Sequence, residues 1–292
     1  MKSLQSPFLL GALALVVLYS SQRQEPEAPI SAAEPLRILI ANDDGVDSDG
    51  IAALAKAFST IGEVVVCAPP ANRSGASHSS KLFSGPMELT QGKIEGASEV
   101  WIVDGTPSDC VVYGLVHVGK EDPFDLVVSG INHGSNVGMV AHYSGTVGAA
   151  TEGAMQGVLS LAVSQDVPRG SNGDFRLTAK FAVQLAQRLR AENAPTHLVY
   201  SVNVPTSDPK LLKGVLATPM GGLYLKVPSF TADVADDQVM IRAQPRFNLN
   251  HPANSDTALF YQGNITVTPL RTDWSDSAMM KVMQDWDLKV SD

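Results

Sequence analysis

The run Leu36-Arg37-Ile38-Leu39-Ile40-Ala41 is almost wholly apolar and stops abruptly at Asn42-Asp43-Asp44-Gly45. A segment without polar alternation has no face to give to water. It therefore predicts a strand covered on both sides, as in a parallel sheet flanked by helices. Similar runs recur at Val64-Val65-Val66, Glu99–Val103, Asp125–Ile131, Leu159–Val163 and His197–Val204. Helical spacing falls between them. Ile51, Leu54, Ala55 and Phe58 follow the natural caps Asp47 and Ser48. Thr106-Pro107-Ser108-Asp109 sets a cap and a proline at the first helical position. Further helices are expected near Thr146–Gln156 and Phe175–Glu192. The alternation predicts an α/β fold, a Rossmann-like three-layer α/β/α sandwich on a mostly parallel sheet, over 36–204. After Pro205 prolines and glycines become frequent. Strands at Val239–Arg242 and Ile265–Thr268 and a helix at Ser275–Leu288 predict a C-terminal, partly antiparallel elaboration over 205–292.

In sheets of this kind ligands bind beyond the carboxyl ends of the strands. Asp43 and Asp44 stand at such an end, and adjacent carboxylates resist joint ionisation unless a cation or water reaches both. A hard divalent metal, which prefers oxygen ligands, is the commonest resolution. Three more polar loops follow strands. The first, Asn72-Arg73-Ser74-Gly75-Ala76-Ser77-His78-Ser79-Ser80, is dense in hydroxyls. The second, Ser129-Gly130-Ile131-Asn132-His133-Gly134, offers the neutral carbonyl oxygen of Asn132. The third, Tyr143-Ser144-Gly145-Thr146-Val147, opens a helix, whose first N–H groups with two hydroxyls form an anion cradle. Ordinary capping by Ser144 or Thr146 explains the same residues, and the two roles are compatible. His78 and His133 are placed either for proton transfer and phosphate contact or for supporting roles. Arg73 faces a phosphate, Asp44 or a structural partner. Asp104-Gly105-Thr106 imitates a phosphatase motif, but the nucleophilic aspartate of that motif falls on Ile102. A Gly-x-Ser-x-Gly elbow is missing from the α/β region.

The net charge of −9, without a Lys/Arg cluster, argues against duplex nucleic acid as a partner. The apolar run Phe8–Tyr19 suits the core of an export signal over residues 1–21, with an uncleaved N-terminal anchor as the alternative. Residues 22–35, rich in Glu, Pro and Ala, read as a flexible spacer. The expected location is periplasmic or secreted, or else membrane-tethered. Cys67 and Cys110 both sit in apolar stretches and are read first as packing residues.

Taken together, the loops resemble the SurE survival-protein family of metal-dependent 5′/3′-nucleotidases. The resemblance rests on Asn42-Asp43-Asp44-Gly45, on Ala68-Pro69 with Asn72-Arg73-Ser74-Gly75, and on Gly105-Thr106-Pro107 with Asp109-Cys110. Ser129-Gly130-Ile131-Asn132 and Tyr143-Ser144-Gly145-Thr146-Val147 complete it, in the family's order. It implies one divalent metal ion, Mg²⁺ or Mn²⁺, held by Asp43, Asp44, Ser74 and Asn132. It also implies a phosphate bound by Asn132, Ser144, Gly145 and Thr146, with catalysis by Asp43, Asp44 and Asn132. The implied substrate is a nucleoside monophosphate, and the implied assembly a homo-oligomer, dimer or tetramer. The chain departs from the family at Val46-Asp47-Ser48-Asp49-Gly50, where members often carry Ala-Pro before the glycine, and in its export-like N-terminus. The competing reading is an exported, non-catalytic nucleotide- or phosphate-binding protein. Hydrolysis of a non-phosphate ester is disfavoured by the anion cradle.

Overall fold

Strand β1 (Leu36–Ala41) is the fourth of nine across the main sheet in a computed structural model that describes residues 35–168, 172–235, 238–248, 250–286 and 288–290. The expected export signal, and the spacer up to residue 34, lie outside the described residues. The chain continues through α1 (Asp49–Phe58), β2 (Gly62–Ala68), β3 (Leu89–Gln91), β4 (Glu99–Val103), α2 (Pro107–Tyr113) and β5 (Leu126–His133). Next come α3 (Gly145–Met155), β6 (Leu159–Gln165), α4 (Arg176–Ala191) and β7 (Leu198–Val204). The last third holds β8 (Gly214–Ala217), β9 (Leu225–Ala235), β10 (Gln238–Phe247), α5 (Asp256–Tyr261), β11 (Asn264–Arg271) and α6 (Ser277–Gln284).

The sheet order is β3-β4-β2-β1-β5-β6-β7-β11-β8. The six strands from β4 to β7 run parallel, while β3 and β11 pair antiparallel with their neighbours β4 and β7. From β1 the chain steps outward through β2 to β4; from β5 it steps the opposite way through β6 to β7. The order therefore reverses between β1 and β5, and a crevice opens beyond their carboxyl ends.

Alternate residues of each strand feed the two faces. Ile38, Ile40, Val64, Val66, Leu126 and Val128 pack under α1 and α4. Leu39, Ala41, Val65, Cys67 and Val127 pack under α2 and α3. These are the three layers expected from the apolar runs. Cys67 and Cys110 are free, buried thiols in the second face, and burial pushes both thiols up. Helix α3 is buried along nearly its whole length because it is built from Gly and Ala. A Cβ on Gly148 would lie 2.3 Å from the Ser77 carbonyl oxygen, so glycine lets the loop after β2 rest on the helix.

The region after Pro205 divides. β8 and β11 continue the main sheet, whereas β9 and β10 leave it as a separate antiparallel hairpin. Among the described residues no helix is long and apolar enough to cross a membrane.

Candidate active site

The carboxyl end of β1 turns sharply at Asn42. Its buried side-chain amide donates to the Gly45 carbonyl (2.8 Å) and to Ser48 Oγ (2.8 Å). Ser48 is the N-cap of α1, yet its hydroxyl serves Asn42 instead of the helix. This brace projects Asp43 and Asp44 into the crevice between β1 and β5.

Asp43 is only 3% exposed. The Thr146 hydroxyl donates to its Oδ1 at 2.6 Å, and the Asp43 carbonyl accepts the Arg73 amide at 2.6 Å. Behind Asp43 stands Gly145, the first residue of α3. A Cβ there would lie 2.8 Å from the Asp43 Cβ and 3.0 Å from its Oδ2, so the carboxylate and the helix start meet only because position 145 is glycine. Burial raises the Asp43 carboxyl above the usual carboxylate range. The amide and hydroxyl of Thr146 oppose that rise, and the charge of Asp44 adds to it.

Asp44 is half-buried and accepts two hydrogen bonds, from Asn72 Nδ2 to Oδ1 (3.2 Å) and from the His133 amide to Oδ2 (3.0 Å). Burial raises its carboxyl too, against the lowering effect of His133. Both carboxylates are thus under pressure to hold a proton or meet a cation.

The loop after β2 is drawn to this pair from above. Arg73 contacts the Asp43 backbone, Asn72 contacts the Asp44 side chain, and the Ser74 amide donates to Asn72 Oδ1 (2.8 Å). From the other side, Asn132 sits next to His133 at the end of β5. Its Nδ2 donates to the Gly134 carbonyl (2.8 Å), which commits the amide nitrogen and leaves Oδ1 as the free end. Asp43 and Asp44 at the end of β1 thus have Asn132 near the end of β5 on one side, and on the other the loop after β2, in which Ser74 is linked to Asp44 through Asn72.

Ser144, Gly145 and Thr146 stand at the N-terminus of α3, as the sequence predicts, but they are already occupied in part. Ser144 Oγ caps the helix by accepting the Val147 amide (3.1 Å), and Thr146 is turned toward Asp43. Arg73 pairs with Asp104 (2.6 Å), which settles its sequence-level ambiguity in favour of a structural partner. His78 binds Glu152 of α3 (2.9 Å), and this bond is the main reason the Glu152 carboxyl lies below its ordinary value. The residues not singled out beforehand as site members are Asn42 and Asn72, both braces of the carboxylate turn. Their only sequence signal is membership of the polar loops.

The donors gathered here are all oxygens: two carboxylates, a hydroxyl and a carboxamide, a set that suits a hard divalent cation. Among the described residues no group of three or more His, Cys, Asp or Glu clusters as a metal site. That is consistent with a ligand set in which half the donors are neutral.

Comparison with known proteins agrees with this geometry. The model of the family described as Survival protein SurE matches residues 38–226. A protein of Chloroflexus aggregans named 5′-nucleotidase SurE is 35% identical over 261 residues, covering 86% of this chain and 98% of its own length. One of the same name from Aeromonas hydrophila is 36% identical over 260 residues, with 86% and 98% covered. The crystal structure of SurE protein from Aquifex aeolicus superposes with a TM-score of 0.74 at 33% identity, over 85% of this chain and 98% of that one. With a family match across most of the chain and relatives matched over nearly their whole length, this chain belongs to the SurE survival-protein family.

Proposed function

We propose that this chain is a 5′-nucleotidase that hydrolyses nucleoside monophosphates to nucleoside and phosphate, with 3′-monophosphates also accepted. The observation that carries the reading is the buried carboxylate Asp43 set directly beneath the start of α3, with Thr146 bonded to it and Asp44 alongside. The activity named for the relatives in Chloroflexus aggregans and Aeromonas hydrophila is the same.

One divalent ion, Mg²⁺ or Mn²⁺, would be held by Asp43, Asp44, Ser74 and Asn132. When bound, such an ion supplies Lewis acidity toward a phosphoryl oxygen and acidifies water. The protein supplies the rest. Asn132, Ser144 and Gly145 receive the phosphate at the positive end of α3, where helix N-termini favour anions. Asp44, whose two oxygens each accept a hydrogen bond, is oriented by Asn72 and His133 and would serve as one of these ligands. Asp43 Oδ2, opposite the oxygen fixed by Thr146, takes the proton from the attacking water.

The apolar residues exposed on β9 and β10, among them Phe230, Val234, Met240 and Ile241, and the wholly unburied helix α6 support a homo-oligomer. The apolar run Phe8–Tyr19 supports export. A phosphate-release screen of nucleoside monophosphates on the full chain, with and without Mg²⁺ and Mn²⁺, tests the function. Metal-stimulated release is expected. Nucleotide binding without release at any metal concentration would instead mark a non-catalytic binding protein.

A further inference from the structure

A cleft of about 220 Å³ opens on the flank of α3, immediately beside Ser144. Its floor is apolar, formed by Ala141, Val147, Met220 and Leu270. Its rim carries His142 and Trp274, whose rings meet edge-to-face at 5.9 Å. Trp274 is 80% exposed, so most of its indole is open to the cleft mouth and to solvent. A tryptophan left in water above an apolar floor is unusual for a side chain of this size, because aromatic rings gain most from burial.

The cleft is joined to the carboxylate site through short links. Ser144 borders it and caps the helix at whose start the phosphate is read above. Ser77 also lines it, and its hydroxyl donates to the His142 carbonyl (2.6 Å) while its amide donates to the Tyr143 carbonyl (3.2 Å). Ser77 lies on the same loop as Ser74, so the cleft wall and the metal-facing loop are one piece. At about 220 Å³ the cleft is smaller than the roughly 300–1,000 Å³ that encloses a drug-sized ligand whole, so it takes one end of a substrate, not all of it.

We infer that this cleft is the nucleobase subsite, in which Trp274 and His142 hold the aromatic base of a nucleoside monophosphate while its phosphate sits at the start of α3. The inference rests on the nucleotidase reading for the phosphate, but not for the base. Flat aromatic rings recognise every nucleobase by stacking, with little hydrogen-bond discrimination. The subsite therefore selects nucleosides over small phosphomonoesters and is tolerant among bases. The recess on the far side of Asp44 also holds an edge-to-face pair, His133 with Phe175 at 6.2 Å, but Phe175 is buried in the core and Asp44, Asp47 and Asp49 line the recess, so it presents carboxylates where the cleft presents an open indole.

The test compares AMP with ribose 5-phosphate, which shares the phosphate and sugar but lacks a base. In Trp274→Ala the ratio of kcat/KM for AMP to that for ribose 5-phosphate is expected to fall about ten-fold, carried by KM for AMP. Trp274→Phe, which keeps an aromatic face, restores most of the ratio. A fall of equal size for both substrates, or an unchanged ratio, overturns the subsite. Adenosine, which has no phosphate, provides the independent arm through its equilibrium binding to the full chain. Binding weakened about ten-fold by Trp274→Ala supports the subsite even if no nucleotide is hydrolysed, in which case the nucleotidase reading fails alone. Binding indifferent to Trp274 overturns the subsite even if AMP is hydrolysed well.

Discussion

Two turns of this molecule, the end of β1 and the passage from the tip of β4 into α2, each bring a pair of aspartates to the same loop, and the protein treats them in opposite ways. At the tip of β4, Asp104 is met by Arg73 at 2.6 Å and by Lys81 at 3.8 Å. Asp109 there completes a capping box with Thr106 and also accepts the Ser80 hydroxyl (2.6 Å) and the Lys81 amide (3.0 Å). Burial works to raise the Asp109 carboxyl, but these hydrogen bonds outweigh it and hold the group below its ordinary value. At the tip of β1, Asp43 and Asp44 receive fewer donors and repel each other, and both carboxyls are raised. The first pair ties the loop after β2 to the scaffold. The second is left short of positive charge, which is the electrostatic condition for a cation site. The contrast shows that the donors around Asp109 outweigh its desolvation, whereas those around Asp43 and Asp44 do not.

The contrast breaks most visibly by removing the β1 charges. Asp43→Asn or Asp44→Asn is expected to lower kcat for nucleotide hydrolysis by at least about 100-fold, read in a phosphate-release assay. Near-normal turnover in both variants would remove the site. Gly145→Ala leaves the charges but forces its new Cβ against Asp43. A loss of about 10–100-fold in kcat/KM is expected with an unchanged circular dichroism spectrum, since small misplacements at reacting groups are costly.

At the β4 tip the expected loss is in stability. Asp109→Asn is predicted to cost about 2 kcal/mol in urea unfolding through the lost cap and charged hydrogen bonds, with activity changed only a few-fold. The two tips also differ in the sign of their pH dependence. Asp109 is lowered in the folded state, so its contribution is present above 3.8 and lost as pH falls through its folded value. Asp43 is raised, so its ionisation weakens the metal-free protein as pH rises from 3.8 through its folded value. In chelator, Asp43→Asn is therefore more stable than the parent at neutral pH, with the gain vanishing in acid, whereas the Asp109→Asn deficit is largest at neutral pH. The smallest effect belongs to Arg73→Ala. Its pair with Asp104 is partly solvent-exposed, so a stability loss below about 1 kcal/mol is expected.

Much of this was legible in the chain. Continuous apolar runs named five of the six parallel strands within a residue or two, and the sixth, at Val64-Val65-Val66, by its centre. Pro107 after Thr106 placed the start of α2, because these signals are local and repeat at the strand or helix period. The polar tips were legible for the same reason, since a run that ends in Asn42-Asp43-Asp44 has nowhere else to put its charge. What each tip side chain touches was not legible. That Thr146 serves Asp43, that Arg73 serves Asp104 and that Ser48 serves Asn42 depend on partners 103, 31 and 6 residues away. The C-terminal third was equally opaque, because β8 and β11 rejoin a sheet whose edge the chain left behind at Val204.

The sequence by itself determined the layered α/β fold, the parallel strands and the loops that carry the chemistry. Only the tertiary structure decided on which side each helix lies. α3 and α4 serve consecutive crossovers that step the same way across the sheet, from β5 to β6 to β7, yet α3 packs beside α2 and α4 packs beside α1 on the opposite face. One of the two crossovers therefore has the uncommon left hand. Amphipathic spacing specifies that a helix has a face to bury, and Ala179, Ala182 and Ala186 supply it in α4. Which surface receives that face depends on the area left open by every other element. With α4 on the α1 side, the flank of α3 is covered instead by Ala141, Met220 and Leu270, and the cleft under Trp274 forms there.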